Sequence, residues 1–281
     1  MILLRDLVRV RAFEFKTDWF DEFSAMNIDS LTTQITLGLI SFTANFLSAL
    51  AGGGAGLLQL PALILLGLPF QIALATHKTA SVALGLGAAF RYLKGSSLDK
   101  GFAALILIFG LPGVLLGAKI VIALPEELFN FLLGLLTLII GLYSFNNQSL
   151  GIKKRVREKT SLELLLGGLV LFCIGILNGS LASGTGLFVT IWLVYWFEID
   201  YALAVAYTLI LVGLFWNGTG ALVLGVRGDI AWDLLPILLI GSLLGGFLGS
   251  HYAISKGRWF IKRAFECLTL LVGLTLLTKA I

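Results

Sequence analysis

The sequence predicts an all-α polytopic membrane protein. It has two homologous helical repeats, each with a Gly-rich broken or re-entrant helix. Three observations carry this. First, 58% of the residues are hydrophobic and only 13% are charged, against about 25% charged in a soluble domain; mean hydropathy is +0.98. Second, apolar segments fill most of the chain, at 31–50, 57–70, 72–93, 101–122, 127–145, 162–182, 186–197, 201–225, 231–252 and 259–279. Third, Ala51-Gly52-Gly53-Gly54-Ala55-Gly56 interrupts the apolar sequence and is echoed 130 positions later by Ser183-Gly184-Thr185-Gly186.

Residues 1–30 carry Arg5, Arg9, Arg11, Lys16, Asp18, Asp21 and Glu22 and lack the continuous apolar core of a signal peptide. Leu3, Leu4, Leu7, Val8, Val10 and Phe13 fit an amphipathic helix on the membrane surface; a frayed terminus is the alternative. Residues 31–145 form transmembrane repeat 1, 146–160 a basic linker, and 161–281 transmembrane repeat 2. Runs such as Phe102–Val121 and Leu162–Leu177 reach, or nearly reach, the length that crosses a ~30 Å hydrocarbon core.

The repeat rests on ordered glycines. Gly54, Gly56 and Leu57 align with Gly184, Gly186 and Leu187, and Gly95 and Asp99 with Gly225 and Asp229, at an offset of 130. Gly113, Gly117 and Gly141 align with Gly245, Gly249 and Gly273 at 132. Gly113/Gly117 and Gly245/Gly249 have the small-xxx-small spacing that lets helices approach closely. Asp99 and Asp229, at matched loop positions, read as helix caps.

Loop charge bears on topology. The linker run Lys153-Lys154-Arg155-Val156-Arg157-Glu158-Lys159 points to the cytoplasm, and Arg91, Lys94 and Lys100 form a second positive loop. If 31–70 makes one net crossing, each half crosses four times. The total is then eight, with the N-terminus, the 91–100 loop, the linker and Arg227 all inside, and that is the expected count. Ten crossings would invert the halves. Lys256, Arg258, Lys262 and Arg263 run against the eight-span scheme, which puts them outside.

Some chemistry is excluded. A net charge of +4 spread over short loops is no nucleic-acid footprint. Two histidines 174 residues apart make no HExxH site, and there is no G-x-S-x-G elbow or Walker A sequence. No cofactor and no enzyme activity are expected. Cys173 and Cys267 read as buried free thiols.

The candidate site follows from the breaks. Glycine costs a helix about 1 kcal/mol relative to alanine, and backbone freed inside a bilayer must be buried in protein or line a polar cavity. Matched glycine-interrupted segments in two halves point to a transporter's binding site. Helices starting near Gly56 and Gly186 would aim their positive ends into the breaks. Ala75-Thr76-His77-Lys78-Thr79 opens the third segment after a Gly67-Leu-Pro69 turn. There Lys78 can supply positive charge, and His77 a hydrogen bond or a proton relay; snorkelling to a nearby surface is the alternative for Lys78.

The second half has Tyr207-Thr208 where the first has Lys78-Thr79, so one side offers charge and the other hydrogen bonds. Candidate substrate contacts are Gly52, Gly53, Gly54, Gly56, Gln59, Thr76, His77, Lys78, Thr79, Asn178, Ser183, Gly184, Thr185, Gly186, Tyr207, Thr208 and Asn217. Asn217 reads first as an interhelical hydrogen bond, with a substrate contact as the alternative, and Glu266 as an ion pair with Lys262 and Arg263.

The Gly-rich run followed by Leu57-Leu58-Gln59-Leu60-Pro61, the Gly67-Leu-Pro69 turn, Ala75-Thr76-His77-Lys78, the Ser183–Gly186 motif, Asn217 and Gly245–Gly249 together resemble the sulfite exporter TauE/SafE family, from about residue 31 to the C-terminus. The resemblance implies a multi-pass permease of a bacterial-type inner membrane that moves a small sulfur oxyanion or organosulfonate such as sulfite, thiosulfate or sulfoacetate. It also implies that the breaks and the Lys78 region hold the anion. His77 stands where many members have asparagine, and Ala55 where members often have another glycine. A coupling proton or ion and a homo-oligomeric assembly are left open. The rival readings are an anion channel, a membrane enzyme and a non-transporting scaffold.

Overall fold

The computed structural model describes residues 31–94, 98–120, 160–181, 184–227 and 230–279, with isolated positions between 135 and 146. The expected surface segment 1–30, most of 127–145, nearly all of the linker, Ser183 and Asp229 lie outside the described residues. The described elements are α1 (Leu31–Ala51), α2 (Gly56–Leu65), α3 (Phe70–Tyr92), α4 (Lys100–Ile120), α5 (Ser161–Leu181), α6 (Thr185–Tyr195), α7 (Tyr201–Tyr207), a π-helical stretch (Thr208–Trp216), α8 (Asn217–Arg227), α9 (Leu235–Lys256) and α10 (Arg258–Lys279).

These boundaries fall close to the apolar segments of the sequence. Among the described residues, five helices are long and apolar enough to cross a membrane: α1, α4, α5, the continuous α7–π–α8 helix and α9. Helix α3 is as long, but its His77-Lys78-Thr79 run makes it less apolar. The turn before it has Gly67 at φ +84°, and Pro69 precedes the first helical residue. Asp99 Oδ1 accepts from Phe102 N at 2.7 Å and caps α4.

Close backbone contacts fix the directions of the helices. Gly245 of α9 lies on Phe42 O of α1, and Gly249 on Phe46 O; a Cβ on either glycine would sit 2.5 Å from that oxygen. In the same way, Gly113 of α4 lies on Phe172 O of α5, and Gly117 on Ile176 O. Both pairs are parallel, and each joins one half of the chain to the other. Helix α3 also runs parallel to α9: Thr76 Oγ1 accepts from Ala231 N, and Arg91 Nε donates to His251 Nδ1 at 2.9 Å. It runs antiparallel to π–α8, since Lys78 packs on Gly220 and Gly85 on Gly213.

Helices α1 and α3 are therefore parallel, and α2 returns the chain between them. The return is held by Asn45 Nδ2 of α1 donating to Gln59 Oε1 of α2 at 3.0 Å. Over 31–70, where the sequence suggests a single net crossing, α1 and α2 fold back on one another. With 10 and 11 residues, α2 and α6 rise about 15–17 Å, roughly half the hydrocarbon core. Helices α1 and α3 run opposite to α5 and α7–α8, so Arg91 and Arg227 lie at opposite ends of the bundle.

One end carries an aromatic layer. Trp192 stacks on Trp196 with centroids 5.2 Å apart, and Phe102 packs edge-on against Phe197 and Tyr207. The Trp192 and Trp196 indoles donate to Gly167 O and Glu163 O. Such rings, apolar with a polar handle, suit the membrane–water boundary. Lys262 and Arg263 bond Glu266 at 3.0 and 2.9 Å, as the sequence spacing predicts. Cys173 and Cys267 are free but exposed rather than buried. In a membrane helix the outward face is apolar too, so apolar sequence around a thiol does not imply burial.

Candidate substrate site

The two glycine breaks meet in the middle of the bundle. After α1, Gly52, Gly53 and Gly54 take φ of +87°, +148° and +99°, conformations that side-chain-bearing residues avoid. Gly53 lies against the backbone of Gly186 at the start of α6; a Cβ on it would come within 2.6 Å of Gly186 Cα and Leu187 N. Gly184, at φ +72°, turns the second break into α6.

Around this junction is a small polar cavity of about 30 Å³. Gly53, Gly54, Ala55 and Gly56 line it from the first break and Gly186 from the second. His77, Ser81 and Leu84 of α3, Asn178 of α5, Thr208 and Gly213 of the π-helical stretch, and Asn217 of α8 also line it, with Ser48 at the end of α1. The N-terminal ends of α2 and α6 both reach it, so two positive dipole ends converge there. The π-helical turn brings Thr208, Leu209, Val212 and Gly213 to the same wall; such turns recur at functional sites.

Lys78 stands behind Asn178. Its side chain is fully buried, and Nζ donates to Asn178 O at 2.6 Å and to Asn178 Oδ1 at 3.3 Å. No carboxylate pairs with it among the described residues. Its aliphatic stem is accommodated by Gly220, where a Cβ would come within 2.9 Å of Lys78 Cδ. Asn178 Nδ2 donates in turn to Thr185 Oγ1 at 2.9 Å and Asn217 Oδ1 at 3.3 Å. Asn217 is thus both an interhelical hydrogen bond and a wall residue. His77 Nε2 pairs with Ser81 Oγ at 3.4 Å, and its Nδ1 is buried without a partner.

The geometry does not bring every candidate to the cavity. Thr76 Oγ1 is occupied by Ala231 N, and Thr79 Oγ1 donates to Ala75 O. Tyr207 OH is engaged with the Asp99 backbone. Gly52 does not line the cavity; its carbonyl accepts from Thr190 Oγ1 at 2.8 Å. Gln59 joins a separate cluster with Asn45. Sequence reasoning missed Ser48, Ser81 and Thr190, single hydroxyls in apolar helices. Only the register of Ser81 with His77, one turn apart, could have flagged one of them.

The chain resembles known membrane proteins along most of its length. The model of the family described as "Sulfite exporter TauE/SafE" matches residues 37–276. A "Probable membrane transporter protein" of Haemophilus influenzae is 30% identical over 223 residues, covering 79% of this chain and 86% of that protein. The "Probable membrane transporter protein YfcA" of Escherichia coli (strain K12) is 28% identical, covering 83% and 86%. The "Probable membrane transporter protein YdhB" of Bacillus subtilis is 22% identical, covering 86% and 98%. No solved structure matches. With these relatives and its membrane-length helices, the chain is a multi-pass integral membrane transporter rather than an enzyme, and it belongs to the sulfite exporter TauE/SafE family.

Proposed function

We propose that the protein is a secondary transporter for a small anion, a sulfur oxyanion or organosulfonate, bound where the two breaks meet. The observation that carries this is Lys78: a fully buried ammonium in a membrane helix, held by a carbonyl and an amide oxygen and, among the described residues, by no carboxylate. An ionisable group at this depth is costly and points to function. The convergent dipole ends of α2 and α6 add positive potential without adding charged side chains. His77, Thr208 and Asn217 offer hydrogen bonds around the same space. By the measure of about 10–15 Å³ per water, the cavity as it stands takes about two waters, so an oxyanion enters only when the breaks part. This is the occluded form of an alternating-access cycle.

The two halves are read as inverted repeats. The reading is supported by the opposite directions of α1 and α5, α3 and α7–α8, and α4 and α9, and by the matched contacts of Gly113/Gly117 and Gly245/Gly249 on carbonyls 130 residues apart. An odd number of net crossings per half replaces four. Among the described residues, Arg91, Lys94, Lys100, Lys256, Arg258, Lys262, Arg263 and both ends of the basic linker then share one face, against Lys119, Arg227 and Lys279 on the other. That bias makes the basic face cytoplasmic, and the charges that ran against the eight-span scheme fall into line.

The test is flux into proteoliposomes, with sulfite, thiosulfate and sulfoacetate as substrates and sulfate and a carboxylate as controls. Saturable flux with counterflow of one sulfur anion is expected, and Lys78→Ala should abolish it. Flux at the wild-type rate in Lys78→Ala overturns the site.

A further inference from the structure

The first helices of the two halves end differently. At the end of α5, the Lys78 ammonium rests on Asn178 O and Oδ1. A cation there complements the negative end of the helix dipole. At the offset of 130, Ser48 of α1 corresponds to Asn178, and Thr208 stands in place of Lys78. No basic side chain reaches the end of α1 among the described residues. Thr208 reaches it only through Thr190, which bonds Thr208 Oγ1 at 3.0 Å and Gly52 O at 2.8 Å.

Neutral oxygens collect instead. Ser41, Asn45 and Ser48 lie on one face of α1 at helical spacing, with Gln59 of α2 and Ser242 of α9 beside them, and all five are fully buried. Asn45 Nδ2 has two hydrogens but four oxygens around it: Ser41 O at 2.7 Å, Ser242 Oγ at 2.9 Å, Gln59 Oε1 at 3.0 Å and Ser41 Oγ at 3.5 Å. Asn45 Oδ1, an acceptor, Ser48 Oγ, a hydroxyl that can donate or accept, and Gln59 Nε2, a donor, are buried with no partner. Orphaned buried polar atoms are costly. Asn45 Oδ1 and Ser48 Oγ are thus open oxygens on the face of α1 that leads to a helix end carrying about half a negative charge. Ser48 also lines the anion cavity.

From this asymmetry we propose a site for a monovalent alkali cation, Na⁺ in the first instance, at the end of α1, with Asn45 Oδ1, Ser48 Oγ and Gln59 Oε1 as side-chain ligands. The cation does for the first half what the Lys78 ammonium does for the second. Hard oxygen ligands without a carboxylate suit a singly charged ion, because Ca²⁺ and Mg²⁺ sites draw on carboxylates. Among the described residues no His, Cys, Asp or Glu cluster offers a transition-metal alternative. Since Ser48 belongs to both sites, a bound cation would strengthen the binding of an anion in the cavity.

The test is equilibrium binding of radiolabelled Na⁺ to the purified full-length protein in choline buffer, with no anionic substrate added beyond chloride. Saturable binding displaced by unlabelled Na⁺ but not by choline is expected, together with a rise in melting temperature on adding NaCl in place of choline chloride. Asn45→Ala and Ser48→Ala should each weaken binding about tenfold or more. Asn45→Asp, which keeps the oxygen and adds a charge, should bind Na⁺ at least as tightly as wild type, an outcome that a merely structural role for Asn45 does not produce. Sodium binding should survive in Lys78→Ala, so failure of the anion site and failure of this one are separable. No saturable binding by the folded wild type, or unchanged binding in both alanine variants, overturns the proposal. Should the alanine variants not fold, the wild-type isotherm and Asn45→Asp still decide it.

Discussion

Replacing Gly53 with alanine tests whether the two breaks are built to touch. The substitution meets two independent penalties. At φ +148° an L-residue sits in a region that is nearly glycine-only, at a cost of about 1–3 kcal/mol. The new Cβ would also lie 2.6 Å from backbone atoms of Gly186 and Leu187, where no flexible side chain can yield, and overpacking of this kind costs about 1–3 kcal/mol more. The total is about 2–6 kcal/mol, relieved only by parting the breaks. Gly67→Ala is the internal control. Its φ is +84°, but nothing lies within 4 Å of the added carbon, so it should lose only about 1–2 kcal/mol and keep its flux. The assay is thermal unfolding in detergent alongside proteoliposome flux. Gly53→Ala should melt well below Gly67→Ala and lose transport. If the two variants melt together and transport equally, the contact between breaks is not what holds the site.

Three further outcomes follow from the packing. Gly245→Leu drives a side chain into Phe42 O and should part α1 from α9, abolishing flux and lowering the melting temperature, while Leu248→Ala on the exposed face of the same helix should do neither. Glu266→Gln leaves Lys262, only 4% exposed, short of a charge and should destabilise by about 3–5 kcal/mol in thermal unfolding, whereas replacing both by apolar residues should cost much less. In intact cells, a charged, membrane-impermeant thiol reagent should label a cysteine at Asp233, and one at Ser255 only after lysis; the reverse pattern would invert the orientation.

Much of the architecture was legible in the sequence, because hydropathy and glycine act locally. The ends of α4 and α5 lie where apolar runs end, and the breaks lie where glycines cluster. The small-xxx-small pairs mark real helix contacts, because only glycine lets a backbone reach Phe42 O or Phe172 O. The direction of the halves was not legible. Loop charges alone allowed two schemes, and the inverted reading proposed above draws on which loops share a face, a tertiary property that parallel packing of α1 on α9 and α4 on α5 brings in. Exposure of Cys173 was hidden for a related reason, since both faces of a membrane helix are apolar.

Site candidates divided along the same line. Asn178, His77 and Asn217 converge with the breaks because they face inward from three different helices. Thr76 and Thr79 flank the His77-Lys78 pair yet turn to other partners, a rotation that neighbouring residues on a helix must show. The partner of Lys78 is largely a backbone carbonyl, which leaves no mark in sequence, and the room for its stem comes from Gly220. Ser48 and Asn45 drew no notice because a lone polar residue in an apolar helix has no pattern.

The central claim is that a buried ammonium beside two converging helix ends binds the anion. It is tested most directly by equilibrium binding of radiolabelled thiosulfate and sulfite to purified wild type, Lys78→Ala and Lys78→Arg. Saturable binding of at least one anion by wild type, lost in Lys78→Ala while that variant still melts cooperatively, is the predicted result. Equal binding by wild type and Lys78→Ala would contradict the account.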